Sequence, residues 1–575
     1  MASRAFLQTT HKVLNQAPLL SNYNLFTSNP CLSSSVKTFA KDHFENCVKQ
    51  GGILGSSSSF ELGDMANNIP PVLHTHDKYG NRSDVVTYTS AYHDMMSLGI
   101  SAGVTSLPFE SGSAPGAHTA RAALAYMQNA IDPGHCCPLV MTFACIPVLR
   151  KAGPQSLKAQ FLEKLMSRKY DGRDLPVEFK TGITIGMSMT EKQGGSDVRS
   201  NTTTATRADK TDKEAYHLVG HKWFTSAPNS DAFLTLAQVE GKGLTCFLVP
   251  RWLPDGSKNV GLQFQRLKDK MGDKSNASSE VEYRGAVGLI CGEEGRGVST
   301  ILEMVHHTRL DCSVGSASAM HRALHIAAHH CSARQSFGRR LADQPLMQAL
   351  LLDLSVESKA ATLLTMRMAR AFDDPGEAAL ARLGVAVTKM HVCKRQPQFV
   401  YECMEVLGGN GFVENWPLAR MFRASPLNAI WEGSGNVMSL DVLRAFGKEG
   451  AHDLLQVLEK EFKRARGVDK GLDVHFDEVA KTVAGLEGLS SEQLQRRARY
   501  VSETIAVALQ GVEMIGGVER GCVHELELEV FCRTRIGGAG QGLHYGSRIC
   551  LSDAFSGSAK NAKIEEAVNA LLINE

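Results

Sequence analysis

The spacing of apolar residues changes twice along the 575-residue chain, and this constrains the fold more than any other feature. From about residue 60 to 170, stretches such as HTARAALAYMQNAI repeat apolar residues every three or four positions, which is typical of amphipathic helices. Residues 181–290 instead hold short aromatic and β-branched segments, such as DAFLTLAQVE and LTCFLVPRW, separated by Gly, Asp, Asn and Pro, which is typical of strands. Helical spacing returns near Gly297. These patterns predict an α+β fold.

The same changes divide the chain into four parts. We expect a mainly helical N-terminal domain over residues 1–180, a β-domain over 181–290, a helical bundle over 291–445 and a further helical region over 446–575. The apolar stretch 133–149 contains prolines and is shorter than the roughly 20 residues that a membrane span needs. It is therefore predicted to be a buried helix, and no membrane span is expected.

Composition favours a globular protein without a polyanion-binding surface. Hydrophobic residues make up 43% and charged residues 21%, and the formal net charge is only +2. Residues 449–575 contain 15 Lys and Arg against 20 Asp and Glu. A phosphate-binding face shows the opposite balance, so nucleic-acid binding is disfavoured, although Arg496, Arg497 and Arg499 form a small basic cluster.

The cysteines and the N-terminus bear on cofactors and location. The fourteen cysteines form no C-x-x-C pair and no regular spacing with histidine, so we expect a reducing compartment and no metal site. The first residues are basic and poor in acids but lack an arginine-rich amphipathic run. We expect a cytoplasmic protein, with a mitochondrial location as the alternative.

Two segments contain residue types suited to chemistry. GMSMTEKQGGSDV, at 186–198, combines paired glycines with hydroxyl and backbone donors that could approach phosphates or a flavin ring, although such a string alone is more often a surface turn. IWEGSGNVM places Glu432 beside Trp431 and Ile430, which would desolvate the carboxylate and raise its pKa toward that of a general base. An isolated Glu is more often a solvated surface residue. No dinucleotide or phosphate-loop motif is present.

The order and spacing of these segments resemble the acyl-CoA dehydrogenase superfamily over roughly residues 60–445. MTEKQGGSDV is similar to the family's flavin loop, HKWFTSAPNSD to its flavin strand, and RQSFGRRLADQ to its R-x-x-F-G turn. EVLGGNGF and IWEGSGN resemble the Q-x-x-G-G-N-G segment and the turn that carries the catalytic base. The motifs RLKDKMG, SNAS, CKR and LDVLR, with VLNQAPLLSNYNLF near the N-terminus and the additional C-terminal helical region, are closer still to the AidB-like branch.

The resemblance implies an acyl-CoA dehydrogenase-like fold, in which an N-terminal helical domain, a middle β-domain and a C-terminal four-helix bundle are followed by an additional helical region. It also implies FAD as cofactor and a homo-oligomer, a dimer of dimers. Glu432 would be the catalytic base and Ser196 would contact substrate. Arg309 would tune the base or meet the CoA, the alternative being a surface arginine paired with Asp311.

The resemblance further implies a set of FAD contacts. Trp223 would flank the isoalloxazine ring and Thr225 would lie near its N5 atom, while Arg334 and Gln344 would reach the FAD of a neighbouring subunit. The full set of implied contacts is Met189, Thr190, Gly195, Ser196, Trp223, Thr225, Arg334, Gln344, Ser434 and Asn436.

The implied reaction is α,β-dehydrogenation of a medium or long, straight or branched, fatty acyl-CoA. Glu432 would take the α-proton while the β-hydrogen leaves as hydride to flavin N5, and a separate electron acceptor would reoxidise the flavin. Two alternatives stay open. One is an FAD-containing protein that binds and sequesters fatty acyl-CoA with little turnover; the other, less favoured, is a nucleic-acid-associated alkylation-response protein.

Overall fold

The N-terminal part is helical, as its apolar spacing predicts. The computed structural model describes residues 10–209, 212–536, 545 and 558–572. The N-terminal elements are α1 (Pro30–Phe39), α2 (Phe44–Leu54), α3 (Ser57–Asn68), a hairpin of β1 (Val72–His76) and β2 (Arg82–Thr87), α4 (Ser90–Ser101), α5 (Ala117–Ile131), α6 (Pro133–Ala152) and α7 (Lys158–Leu165). The apolar stretch 133–149 lies in α6 and is almost wholly buried, which confirms that prediction.

The middle part is a seven-stranded sheet. Its strands are β3 (Ile185–Thr190), β4 (Thr204–Arg207), β5 (Ala215–Ser226), β6 (Ala232–Val239), β7 (Gly243–Pro250), β8 (Leu262–Leu267) and β9 (Ser278–Cys291). β5, β6 and β9 each pair with three other strands, and β3 joins β5 to β6, so the pairings close on themselves like a barrel. Fully buried aromatic rings fill one side of the sheet, those of Tyr216, Phe233, Phe247, Phe264 and Tyr283.

Four long helices, α8, α9, α10 and α13, form the bundle that follows the sheet. Its elements are α8 (Gly297–Ala333), a two-residue hairpin of β10 (Gln335–Ser336) and β11 (Arg339–Arg340), α9 (Pro345–Ala371), α10 (Ala378–Val406), α11 (Gly409–Phe412), α12 (Pro417–Ala424) and α13 (Gly435–Glu449). α8 begins directly against β7, because a Cβ on Gly297 would lie 2.6 Å from the backbone of Thr245. This order of helical, β and helical layers confirms the predicted fold class.

The C-terminal helices pack onto the bundle and share its core. They are α14 (Ala451–Phe462), α15 (Lys470–Ala484), α16 (Ser491–Glu519), α17 (Glu525–Arg535) and α18 (Ser558–Asn569), and buried residues of α14 to α17 belong to the same apolar cluster as those of α5, α8, α9 and α10. Within the described residues, α16 alone is long and apolar enough to cross a membrane. Yet 89% of its apolar window is buried inside the protein, as in a core helix.

Buried ion pairs fasten α17 to the bundle. Glu357 on α9 accepts hydrogen bonds from Arg395 on α10 at 2.8 Å and from Arg535 on α17 at 3.0 Å. Arg535 also donates to Asp353 at 2.7 Å. Burial raises the pKa of the Glu357 carboxyl, but the two guanidinium groups outweigh burial and hold that pKa well below its usual range.

Replacing Glu357 by Gln should lower the free energy of unfolding by about 3–5 kcal/mol, because Arg395 would lose its carboxylate and Arg535 would keep only Asp353. A depressed carboxyl pKa stabilises the fold above the unfolded-state value of 4.5 and loses that contribution as pH falls. The difference between wild type and Glu357→Gln should therefore shrink below about pH 4.5. Denaturant unfolding measured across pH checks this, with exposed Glu487→Gln as the control. A deficit that persists unchanged at low pH would refute the account.

Candidate active site

Glu432 lies in a strained turn just before α13. It has φ +55°, in the left-handed region that residues with a Cβ rarely adopt, and Gly433 follows with φ +96°. A short 3-10 helix, Leu427–Ala429, leads into this turn, and α13 begins at Gly435. Backbone strain of this kind persists only where the surroundings hold it, and it is concentrated at functional sites.

A buried ammonium group holds the turn. Lys389 on α10 is only 1% exposed, and its Nζ donates to three backbone carbonyls at 2.8–2.9 Å. The carbonyls belong to Asn428, Trp431 and Gly433, on both sides of Glu432. One charged donor thus fixes the backbone on which the carboxylate is mounted.

Arg309 supports the same turn from α8. Its Nε donates to the backbone carbonyl of Glu432 at 3.1 Å, and its Nη1 donates to Asp441 of α13 at 2.8 Å. The alternative pairing of Arg309 with Asp311 is wrong, because residues two apart on a helix point roughly 200° away from each other. Asp311 instead forms a buried ion pair with Arg121 of α5.

The Glu432 side chain lines a cavity bounded by α6, α8 and the β8–β9 loop. Thr308 on α8 donates its hydroxyl to Oε2 of Glu432 at 2.6 Å. Trp431 is half-buried beside the carboxylate, but Ile430 is 64% exposed, so the prediction that Ile430 desolvates Glu432 is wrong. The cavity is lined by Asn129, Pro133, Cys136, Cys137, Val140, Met141, Asp273, Thr308, Asp311, Cys312, Asn428, Trp431 and Glu432.

The predicted flavin loop begins where β3 ends. Met189 and Thr190 are the last two residues of β3, and Gly195 and Ser196 are exposed in the following loop. A Cβ on Gly195 would lie 2.9 Å from Oγ1 of Thr190, so the loop folds back closely onto the end of the strand. The loop therefore presents its backbone and the Ser196 hydroxyl outward next to Thr190.

An internal ion pair anchors this loop to the predicted flavin strand. Glu191, fully buried, accepts from Lys222 Nζ at 2.7 Å and from the hydroxyl of Thr203 at 2.6 Å. Burial raises the pKa of Glu191, but the ammonium of Lys222 and the hydrogen bonds outweigh it and lower that pKa to about 2. The carboxylate is thus ionised at neutral pH and ties the start of the loop to β5.

Trp223 and Thr225 lie near the end of β5, where its pairing with β9 is irregular. Trp223 is half-buried, with the Nζ of Lys268 lying 3.1 Å from the centre of its ring. Thr225 is fully buried, and its hydroxyl lies 2.5 Å from that of Ser188 on β3. The predicted contact of Thr225 with the flavin stays a prediction, and its hydroxyl is already engaged within the sheet.

Ser434 and Asn436 lie at the N-terminus of α13. Ser434 is the N-cap residue, and its hydroxyl accepts from the backbone N–H of Val437 at 3.5 Å. The exposed Asn436 accepts at Oδ1 from Nε of Arg499 on α16 at 2.8 Å. A positively charged side chain of the C-terminal region therefore lies at this helix N-terminus, where backbone N–H groups also favour anions.

Arg334 and Gln344 lie in the connection between α8 and α9. Arg334 donates to the backbone carbonyl of Asn15 at 2.6 Å, and Gln344 donates to that of Ser336 at 3.0 Å. From Thr308 to the end of α8 the helix extends roughly 38 Å at its usual rise per residue. The structure thus does not bring these two residues together with Glu432 in one chain.

Sequence reasoning missed the residues that position Glu432. A signal for Lys389 was present, since it is a lone lysine in the otherwise apolar stretch GVAVTKMHVC of α10, where a charge needs a partner. Thr308 adjoins Arg309 in HHTRLD, but a threonine within a helix gives no signal of its own.

Three family models match consecutive parts of the chain. The model of the "Adaptive response protein AidB N-terminal domain" matches residues 15–172, the "Acyl-CoA dehydrogenase, middle domain" matches 186–286, and the "Acyl-CoA dehydrogenase, C-terminal domain" matches 295–447. Over 496 residues the chain is 43% identical to the Escherichia coli (strain K12) protein named "Putative acyl-CoA dehydrogenase AidB", covering 85% of this chain and 89% of that protein.

Solved structures show the same architecture. Caenorhabditis elegans ACDH-11 in complex with C11-CoA matches with a TM-score of 0.80 and 26% identity over 97% of this chain and 100% of that chain. An acyl-CoA dehydrogenase from Bacillus anthracis complexed with FAD matches with a TM-score of 0.64 and 18% identity over 84% of this chain and 86% of that chain, a likeness of fold alone.

The chain belongs to the acyl-CoA dehydrogenase family, as the 43% identity and the successive domain matches show. Its N-terminal domain and the similarity to the E. coli protein place it in the AidB-like branch, which confirms the resemblance found in its motifs.

Replacing Lys389 by Met should loosen the turn that carries Glu432, because three buried carbonyls would lose their donor. Each lost hydrogen bond is worth about 1 kcal/mol, so amide hydrogen exchange within residues 427–435 should accelerate about tenfold or more. Exchange measured by mass spectrometry on peptides covering this segment checks the prediction. Lys481→Met, on an exposed face of α15, is the control, and unchanged exchange in Lys389→Met would contradict the assigned role.

Proposed function

We propose that the chain is an FAD-dependent acyl-CoA dehydrogenase in which Glu432 removes the α-proton of a fatty acyl thioester. The observation that carries the proposal is a carboxylate mounted on a fixed, left-handed turn and facing a cavity. Family membership supports oxidoreduction as the reaction class.

The hydrogen bonds at Glu432 assign different roles to its two carboxylate oxygens. Oε2 accepts the Thr308 hydroxyl at 2.6 Å, which orients the group and leaves Oε1 for the α-proton. The backbone N–H of Glu432 is the donor that the family resemblance assigns to the thioester carbonyl, where negative charge develops as the proton leaves. Because Lys389 and Arg309 fix this backbone, the donor and the base are held in one geometry.

The chain's own residues fit FAD. Exposed Gly195 and Ser196 beside Thr190, together with the half-buried Trp223, provide backbone donors, hydroxyls and a ring surface of the kind that borders a flavin. At the other end, the N-terminus of α13 with Ser434, Asn436 and the nearby Arg499 suits a diphosphate. When bound, FAD supplies the acceptor for the β-hydrogen.

A second copy of the chain completes the site in this proposal. Three large apolar side chains are exposed around the α8–α9 connection and just after α10. Phe337 is 98% exposed, Leu346 82% and Phe412 81%. Such exposure is typical of a surface that another chain covers. Covering this surface would carry Arg334 and Gln344 to the FAD of the neighbouring subunit, as the resemblance implies, within a dimer of dimers.

A binding protein with little turnover is the second candidate. The solved structure of C. elegans ACDH-11 holds C11-CoA, which shows that a protein of this architecture binds a fatty acyl thioester. The two candidates share the fold, the cofactor and the ligand, and they differ only in whether Glu432 performs the proton transfer.

Replacing Glu432 by Gln should abolish flavin reduction while leaving the FAD content and acyl-CoA binding in place, because the amide keeps the shape and loses the base. Anaerobic stopped-flow mixing of the purified flavoprotein with straight and branched acyl-CoAs measures the loss of flavin absorbance. General-base removal typically costs about 100-fold to 10,000-fold in rate.

The matched control is Glu303→Gln, an acid on α8 that pairs with Lys151 at the surface. It should reduce its flavin like wild type. A wild type that binds the thioesters without bleaching would favour the sequestering candidate, and an active Glu432→Gln would remove Glu432 from the mechanism.

A further inference from the structure

The loop between β8 and β9 carries two motifs, RLKDKMG and SNAS, that the proposed reaction does not use. Its Asp273 lines the cavity that Glu432 faces. The same residue lines an adjoining cavity between α5, α8, α10 and α12. The two cavities share Asn129, Pro133, Asp273 and Asn428 as a common wall. Asp273 is therefore placed to contact an acyl chain that enters from the Glu432 side.

The loop holds Asp273 in a fixed position. Lys270 Nζ donates to the backbone carbonyls of Asp273 at 2.8 Å and Asn276 at 2.7 Å. Ser275 donates its hydroxyl to the buried Asp132 at 2.7 Å, which ties the loop to the start of α6. Asp273 itself has φ +50°, a conformation that Asp and Asn tolerate better than most residues.

The floor of these cavities leaves buried polar atoms without a partner. Asp273 is 5% exposed and Gln396, on α10, is 3% exposed. Among the residues that the structure describes, neither Oδ1 of Asp273 nor Oε1 of Gln396 has a hydrogen-bond partner. Nε of Arg420, which borders the second cavity, also has no partner within the described part of the chain. A purely aliphatic acyl chain would leave all three unsatisfied, and buried polar groups left in that state cost stability.

The charged side chains around the two cavities limit which functional group of an acyl chain could bind there. A carboxylate on the acyl chain would be repelled by Asp273 and by the nearby buried Asp132 and Asp311. An amine would be repelled by Arg420 and Lys270. A hydroxyl is neutral and is both donor and acceptor, so it can donate to Asp273 or Gln396 and accept from Arg420.

We propose that the acyl pocket selects thioesters whose chain carries a hydroxyl group beyond the reacting carbons, and that Asp273 is the residue that selects it. The inference rests on the proposed function, since it takes the Glu432 cavity as the acyl site. Burial, partly offset by Lys270, raises the pKa of Asp273 to about 7, so both a protonated and an ionised form are available near neutral pH.

The test measures binding separately from turnover. The FAD-loaded protein is titrated by calorimetry with butanoyl-, hexanoyl-, octanoyl- and decanoyl-CoA and with the terminally hydroxylated counterpart of each, so that chain length scans the depth of the pocket. At one or two lengths the hydroxylated thioester should bind about tenfold or more tightly than its alkyl counterpart, because it satisfies groups that the methyl end leaves unpaired. Equal or weaker binding of the hydroxylated thioester at every length would overturn the inference, as water in the cavity would then suffice for these groups.

Variants assign the selectivity to Asp273. Asp273→Ala should reduce the preference to about onefold while alkyl-CoA binding persists, and Asp273→Asn, which keeps a side-chain carbonyl and tolerates the positive φ, should retain it. Asp269→Ala, exposed in the same loop, is the control and should behave as wild type. A preference that survives Asp273→Ala would overturn the assignment.

Flavin bleaching in the same titrations reports on the proposed function alone. Hydroxyl-selective binding without bleaching by any thioester would support the pocket chemistry and count against the dehydrogenase. Bleaching by alkyl thioesters without hydroxyl-selective binding would support the dehydrogenase and count against selection of a hydroxyl by Asp273.

Discussion

The candidate site depends most on the hydrogen bonds that the buried ammonium of Lys389 donates to the turn carrying Glu432. Three backbone carbonyls around the base accept from this one group, and Arg309 adds a fourth contact from the opposite helix. A left-handed glutamate is costly unless its surroundings determine it, and these charge-assisted bonds determine it. The position of the carboxylate is therefore a property of the packed bundle, since no single element supplies the whole support.

The site lies where the layers of the fold meet. α6 of the N-terminal domain, the β8–β9 loop of the β-domain and α8 of the bundle each contribute wall to the cavity beside Glu432. The C-terminal helices do not line it, but they share the bundle's core and carry Arg499 to Asn436 at the start of α13. A change in the packing of this added region can thus reach the helix that follows the base.

Local sequence predicted the layers and singled out Glu432 as the candidate base, because both inferences depend on patterns within short stretches. Apolar spacing distinguished α8 to α10 from the strands between 181 and 290, and motif resemblance located Glu432. The support of the base could not be predicted in this way: Lys389 acts on residues about forty positions away. Asp273 reaches the cavity only through folding of the β8–β9 loop against α6. For Arg309 the sequence also allowed a pairing with the neighbouring Asp311, which helix geometry excludes. Its actual partner, Asp441, lies on another helix and could not be inferred locally.

If Glu432 moves a proton at the α-carbon, hydrogen exchange at that carbon reports on this step without depending on electron transfer to an acceptor. Anaerobic incubation of the flavoprotein with octanoyl-CoA in deuterated water, followed by NMR of the thioester, measures deuterium incorporation at the α-carbon. Wild type should incorporate deuterium, and Glu432→Gln should incorporate none above background at equal thioester occupancy. Equal incorporation by both proteins would contradict this role of Glu432.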